Sequence, residues 1–289
     1  MATSRYSRAP PRRAASSLTT MAILAAMIIL TFILTLFSAV GLLPRSESTT
    51  KAHHHIHERV STGTRSPTGS DSKTEKWVEA ISWEPRAFVY HNFLTKEECE
   101  HLINASKPHM VKSTVIDHNT GRGIDSRART SSGTFLARGR DDVVRGIEKR
   151  IADFTFIPVE NGEGLQVLNY EVGEKYEPHY DYLSDEFNTK NGGRRIATVL
   201  MYLADVEEGG ETIFPYVGGN GSKVPLFDEK YECGRRGLSV KPKMGDALLF
   251  WSLNPDASVD QYSLHGGCPV IRGSKWSSTK WLRLHEYKV

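Results

Sequence analysis

The sequence predicts a mainly β fold with flanking helices, a jelly-roll (double-stranded β-helix) core preceded by an N-terminal transmembrane helix. Three observations predict it. One long apolar run stands near the N-terminus, apart from the rest of the chain. Two amphipathic helical patterns open the globular part. About eight short runs rich in Val, Ile, Tyr, Phe, Trp and Thr follow, with Gly, Asn, Asp and Pro between them. A jelly roll matches that strand number and protects its edges.

The N-terminal elements come first. Residues 21–43 carry no charged side chain. As a helix they span roughly 35 Å, enough for a bilayer core of about 30 Å. Arg5, Arg8, Arg12 and Arg13 lie upstream with no acid among them. The positive-inside rule therefore makes 1–20 a cytosolic tail and 21–43 a signal-anchor. The run is longer than a cleaved signal peptide's apolar region of about 7–15 residues. Residues 44–76, rich in Ser, Thr, Gly, Arg and His, cannot bury enough surface to fold and read as a flexible lumenal stem. His53, His54, His55 and His57 within it read as solvated linker. The expectation is a single-pass type II protein of the endoplasmic reticulum or Golgi membrane, with 77–289 as a lumenal globular domain.

The overall composition excludes collagen-like and wholly disordered chains, at 39% hydrophobic and 25% charged residues. A net charge of +3 does not call for nucleic acid. Three cysteines without a CxxC spacing exclude a disulfide scaffold and a zinc finger. In the globular part, Thr95 and Glu98 form a capping box, and Cys99, Leu102 and Ile103 then share a helical face. A second helix is expected over 140–154, where Val143, Val144, Ile147, Ile151 and Phe154 recur at helical spacing. Strands are expected over 165–171, 176–181, 196–203, 211–214, 238–241, 247–251, 268–271 and 276–284.

The chemistry lies on these strands. His179 and Asp181 are two apart at the end of one run, so a strand puts imidazole and carboxylate on one face and turns Tyr180 away. His265 opens a later strand. Two His and one carboxylate form the facial triad of non-haem Fe(II) oxygenases, which leaves coordination positions open for a cosubstrate and O₂. Lys275 follows ten residues after His265, past a Gly-containing turn. A chelating 2-oxo acid needs a cation beyond the metal to hold its distal carboxylate, and a buried Lys suits that task.

At this point the chain resembles the prolyl 4-hydroxylases, Fe(II)- and 2-oxoglutarate-dependent dioxygenases, of the plant and algal membrane-anchored type. The resemblance rests on Tyr-Glu-Pro-His-Tyr-Asp at 176–181, Thr-Val-Leu-Met-Tyr-Leu at 198–203, Glu-Glu-Gly-Gly-Glu-Thr at 207–212 and Gly-Asp-Ala-Leu-Leu-Phe-Trp at 245–251. His-Gly-Gly-Cys-Pro-Val at 265–270 and Lys-Trp-Ser-Ser-Thr-Lys-Trp at 275–281 continue it. Arg-Thr-Ser-Ser-Gly at 129–133 and the helix at 140–154 add to it upstream. It covers 77 to the C-terminus.

The resemblance implies His179, Asp181 and His265 as iron ligands and Lys275 as the partner of the distal carboxylate of 2-oxoglutarate. Tyr170 and Thr212 match positions that offer hydroxyls to the cosubstrate. Tyr176, Arg195 and Trp281 match positions lining a peptide groove, and the loop around Arg129 resembles a lid over the peptide. Similar chains often carry His where Arg283 stands here. The implied reaction hydroxylates peptidyl proline to 4-hydroxyproline while 2-oxoglutarate is decarboxylated to succinate and CO₂, with O₂ as oxidant and L-ascorbate as reductant. The implied substrates are proline-rich secretory proteins, extensin- or arabinogalactan-like, in polyproline II conformation. The alternatives are another 2-oxoglutarate oxygenase, such as a lysyl hydroxylase, against which Lys275 argues, and a jelly-roll binding module without redox chemistry.

Two further features follow from the lumenal reading. Asn104 and Asn220 head N-x-S sequons and are expected glycosylation sites. Cys233 and Cys268 are expected to be bridged in an oxidising compartment, tying the connecting segment beside His265, while Cys99 stays a buried free thiol.

Overall fold

The computed structural model describes residues 75–116, 123–125, 127–218, 233–235 and 237–289. The cytosolic tail, signal-anchor and most of the stem, and the sequon at Asn220, lie outside the described residues. No helix among the described residues is long and apolar enough to cross a membrane.

The chain opens with a hairpin of β1 (Trp77–Trp83) and β2 (Arg86–His91), then α1 (Lys96–Ser106). Short strands β3 (Val111–Lys112), β4 (Val115–Ile116) and β5 (Gly123–Ile124) lead to β6 (Ser132–Leu136) and α2 (Asp142–Thr155). Next come β7 (Leu165–Tyr170), β8 (Tyr176–His179), α3 (Glu186–Thr189), β9 (Arg195–Tyr202), β10 (Glu208–Gly209) and β11 (Thr212–Phe214). The C-terminal part adds β12 (Leu238–Val240), β13 (Ala247–Trp251), β14 (His265–Gly267), β15 (Val270–Arg272) and β16 (Lys275–Arg283).

The long strands form an eight-stranded sheet in the order β1-β2-β13-β9-β16-β7-β6-β3. A four-stranded sheet, β12-β11-β14-β8, lies against one face of it. Between them pack Ala87, Val89, Leu248 and Phe250 from the large sheet and Phe214 from the small one. The helices cover the opposite face. Leu102 of α1 and Val144, Ile147 and Ile151 of α2 pack on Leu165, Val167, Val199, Met201 and Leu282. Each such fully buried aliphatic chain stabilises by about 1.5–3 kcal/mol. The result is helices, large sheet and small sheet in three layers, mainly β with flanking helices and a jelly-roll core.

The helix starts follow their sequence signals. Thr95 Oγ1 accepts from the Glu98 amide at 3.2 Å, and the Glu98 carboxylate accepts from the Thr95 amide at 2.9 Å. Asp141 caps α2 by accepting from the Val144 amide. Arg150 of α2 forks onto Glu98 of α1 with two contacts of 2.9 Å, so the helices brace each other.

Two expectations need correction. Helices do not precede all strands: the β1–β2 hairpin comes first and extends the large sheet beside β13. Its pattern is half-exposed because β1 is an edge, so its apolar alternation is weak. Nor is the segment around Arg129 a free lid. Arg129 bridges Tyr176, Ser131 is fully buried, and Ser132 already belongs to β6. In the Glu-Glu-Gly-Gly-Glu-Thr segment, Gly209 has φ +79°, and a Cβ there would stand 2.4 Å from the Pro269 carbonyl. Glycine thus lets β10 press against β15 and delivers Thr212 into the small sheet.

Candidate active site

The small sheet brings the two predicted imidazoles together. β14 pairs antiparallel with β8 so that His265 stands opposite His179, and their ring centroids lie 4.4 Å apart. Asp181 follows just beyond β8, its carboxylate 3.6 Å from His179 Nε2 and 3.5 Å from His265 Nε2. Tyr180 between them turns away, its hydroxyl reaching the Gln261 carbonyl. One ligand atom from each of the three residues lies within 4.8 Å of the others, close enough for one small divalent cation to touch all three.

Hydrogen bonds orient each ligand. His179 Nδ1 donates to the Glu177 carbonyl at 2.8 Å, and His265 Nδ1 to the Ser263 carbonyl at 2.9 Å. With Nδ1 protonated, each Nε2 presents a lone pair toward Asp181. Thr198 Oγ1 donates to Asp181 Oδ2 at 2.7 Å. Burial pushes the His265 imidazole down to about 4, against the raising pull of Asp181, which keeps the ring a neutral ligand at ordinary pH. Burial alone would raise Asp181; the two imidazoles packed against it, His265 first, outweigh burial and hold the carboxyl well below its usual range. Two imidazoles and one ionised carboxylate are a donor set that fits Fe(II) with open positions.

Lys275 opens β16, opposite Tyr170 of β7. It is 3% exposed and has no ion-pair partner among the described residues. Its ammonium stands 5.5 Å from the Tyr170 ring and 5.8 Å from the Tyr202 ring. Burial pushes it down to about 8, against the raising pull of Glu211. A buried cation without a counter-ion is costly unless an anion joins it. The cavity that it lines is also lined by the triad, Tyr170, Thr212, Tyr176, Arg129 and Trp281. Tyr202 donates to Thr212 Oγ1 at 2.9 Å, fixing that hydroxyl beside the lysine.

The outer wall is aromatic. Tyr176 stacks on His179 with centroids 3.6 Å apart, and the Arg129 guanidinium lies over the Tyr176 ring at 4.6 Å. Arg129 also donates to Gln166 Oε1 at 2.8 Å. Burial pushes the Tyr176 hydroxyl up to about 12. Arg195, expected in the peptide groove, packs against Trp281 of this wall. Its guanidinium forks onto Glu163 at 2.7 and 2.9 Å and stacks on Trp281 at 3.7 Å. Arg283 shares Glu163 at 2.6 Å. Burial would raise Glu163, but Arg195 and Arg283 outweigh it and lower the carboxyl.

Sequence reasoning missed Gln166, Thr198, Ser277 and Thr279, which also line the cavity. Alternation from Lys275 along β16 points to Ser277 and Thr279. Nothing local marks Thr198, which meets Asp181 only through packing. Cys233 and Cys268 are bonded, with Cα atoms 5.7 Å apart, and Cys99 is free and buried. Asn104 is exposed on α1.

Comparison with known proteins agrees with this geometry. The family model described as the 2OG-Fe(II) oxygenase superfamily matches residues 165–283. "Probable prolyl 4-hydroxylase 10" of Arabidopsis thaliana is 62% identical over the whole of both chains. "Prolyl 4-hydroxylase 5" of the same plant is 72% identical over 74% of each chain. Among solved structures, the viral collagen prolyl hydroxylase of Paramecium Bursaria Chlorella virus-1, in its 2OG complex, is 29% identical with a TM-score of 0.50. That match covers 68% of this chain and 95% of the viral one. With a paired triad and a buried lysine in one cavity, and relatives of this identity over the full chain, the protein belongs to the prolyl 4-hydroxylase family of Fe(II)- and 2-oxoglutarate-dependent oxygenases.

Proposed function

We propose that this enzyme hydroxylates C4 of peptidyl proline in proline-rich secretory proteins, extensin- or arabinogalactan-like, presented as a polyproline II helix. The observation that carries the reading is the buried Lys275, without an ion-pair partner among the described residues, in the cavity of the His179–Asp181–His265 triad. His179, Asp181 and His265 would hold Fe(II), and Lys275, with the Thr212 and Tyr170 hydroxyls beside it, the distal carboxylate of 2-oxoglutarate. When bound, Fe(II) supplies the oxidation: O₂ converts 2-oxoglutarate to succinate and CO₂ and delivers one oxygen atom to the proline ring, with L-ascorbate keeping the metal reduced.

The residues of this chain bind and orient. The two Nδ1–carbonyl bonds keep both imidazoles in the ligating tautomer. Thr198 holds the Asp181 carboxylate in one orientation. Phe250, its centroid 4.5 Å from His265, excludes water from behind the triad. Tyr176, Arg129 and Trp281 form the wall on which a proline-rich peptide lies, and Arg195 keeps Trp281 in its plane from behind. Aromatic walls suit polyproline II, which is extended and pre-organised.

The domain over 77–289 faces the lumen of the endoplasmic reticulum or Golgi, anchored by 21–43 through the stem at 44–76. The apolar run with its upstream arginines supports this orientation, and so does the Cys233–Cys268 bond, since such bonds persist in oxidising compartments. Glycans sit on Asn104 and Asn220. Asn104 is exposed, but Ser106 of its sequon is fully buried, so that site is used before α1 folds.

The test is succinate formation from 2-oxoglutarate with and without a proline-rich peptide, with mass analysis of the peptide. Peptide-dependent turnover with one oxygen added at proline C4 is expected. Turnover indifferent to the peptide, or oxygen added to lysine, would refute the assignment.

A further inference from the structure

We propose that Phe135 is a specificity-determining residue of this enzyme, an outer subsite whose ring takes a proline of the substrate helix beyond the one lying on Trp281. The inference rests on the proposed peptide substrate and deepens it. Strand register carries it. Phe135 of β6 pairs with Gln166 of β7, Gln166 with Thr279 of β16, and Thr279 with Leu200 of β9. Gln166, Thr279 and Leu200 all line the active-site cavity. Phe135 is therefore the outermost member of a cross-strand row that floors the cavity, since residues opposite one another in a sheet share a face. Its neighbour Leu136 points the other way into the helix-covered core, at 1% exposure.

Phe135 itself is 58% exposed. β3 covers the edge of β6 only at Ser132 and Gly133, so Phe135 stands past its end, at an open margin. Other exposed phenylalanines, Phe156 at the end of α2 and Phe187 on α3, belong to no such row. The Phe135 ring lies 6.4 Å from the Trp281 ring, tilted by 39°. A polyproline II helix rises about 3.1 Å per residue, so that gap matches about two residues. Two aromatic faces at this spacing fit a helix whose proline rings need only apolar contact.

The occupant is thus a distal proline, reached only by a peptide with several residues on that side of the target. The test compares oligoprolines of about four and about nine residues with the wild type and with Phe135→Ala and Phe135→Tyr, reading KM and kcat separately. An exposed ring can be truncated with little effect on folding. In Phe135→Ala the KM for the long peptide should rise about 3- to 10-fold, with kcat and the short-peptide KM unchanged. Phe135→Tyr should stay near the wild type. An unchanged long-peptide KM in Phe135→Ala, or an equal rise for both lengths, overturns the subsite alone. A wild type whose 2-oxoglutarate turnover no oligoproline stimulates overturns the proposed function and the subsite together.

Discussion

Lys275 and Lys280 lie on one strand, five residues apart, both buried and on opposite faces of the large sheet. Lys280 faces the helices and meets Glu148 of α2 at 2.6 Å, with both side chains 1% exposed. Lys275 faces the small sheet and meets no counter-ion among the described residues. The first charge is neutralised within the fold and ties helix to sheet. The second is left for a ligand. The same contrast runs through the two faces. One is packed with Val167, Val199 and Leu282; the other carries Gln166, Thr198, Ser277 and Thr279 around a cavity. Burial stabilises on one side and prepares a site on the other.

The largest effects should come from the cavity side. His179→Ala, Asp181→Ala and His265→Ala each remove one of three ligands. Turnover should fall below about 1% of wild type and bound iron should be lost, with far-UV circular dichroism unchanged. A purified single variant that keeps iron and activity would erase the distinction between the faces. On the helix side the effect should be on stability. Lys280→Ala leaves Glu148 buried and unpaired, which costs about 3–5 kcal/mol in denaturant unfolding. Its KM for 2-oxoglutarate, measured where it is folded, should not change.

Smaller effects sharpen the picture. Cys233→Ser removes a bond that closes a separation of 35 residues. It should lower stability by about 3–4 kcal/mol on the chain-entropy account, read as a lower Tm. Two free thiols at these positions in the non-reduced protein would contradict the bond. The smallest effect concerns pH. Lys275 is depressed to about 8, so below that pH it is protonated in the free enzyme. As pH rises through about 8 the cation is lost and the KM for 2-oxoglutarate should climb, while Lys275→Arg should stay flat, because guanidinium keeps its proton. A wild-type KM that does not change across that interval would show that the lysine charge is not used.

Legibility in the sequence followed the range of each interaction. His179 and Asp181 were readable because a strand alternates, and Lys275 because it follows His265 closely past a turn. The helices were readable from the Thr95–Glu98 box and from apolar spacing. The β1–β2 hairpin was missed because an edge strand buries only half its pattern. Thr198 could not be found: it holds Asp181 only because β9 packs across from β8. The fork of Arg195 onto Glu163, 32 residues earlier, could not be read from local spacing. Phe135 acquires meaning only from a register that spans three neighbouring strands.

The most direct measurement of the contrast between the two lysines is the KM for 2-oxoglutarate in Lys275→Ala, with Lys275→Arg and Lys280→Ala beside it. Losing a charge-assisted contact to a carboxylate costs about 1.5–3 kcal/mol, so KM should rise about 10- to 100-fold in Lys275→Ala. Lys275→Arg should recover part of that loss, and Lys280→Ala should match the wild type. An unchanged KM in Lys275→Ala would contradict the assignment of this buried cation to the cosubstrate.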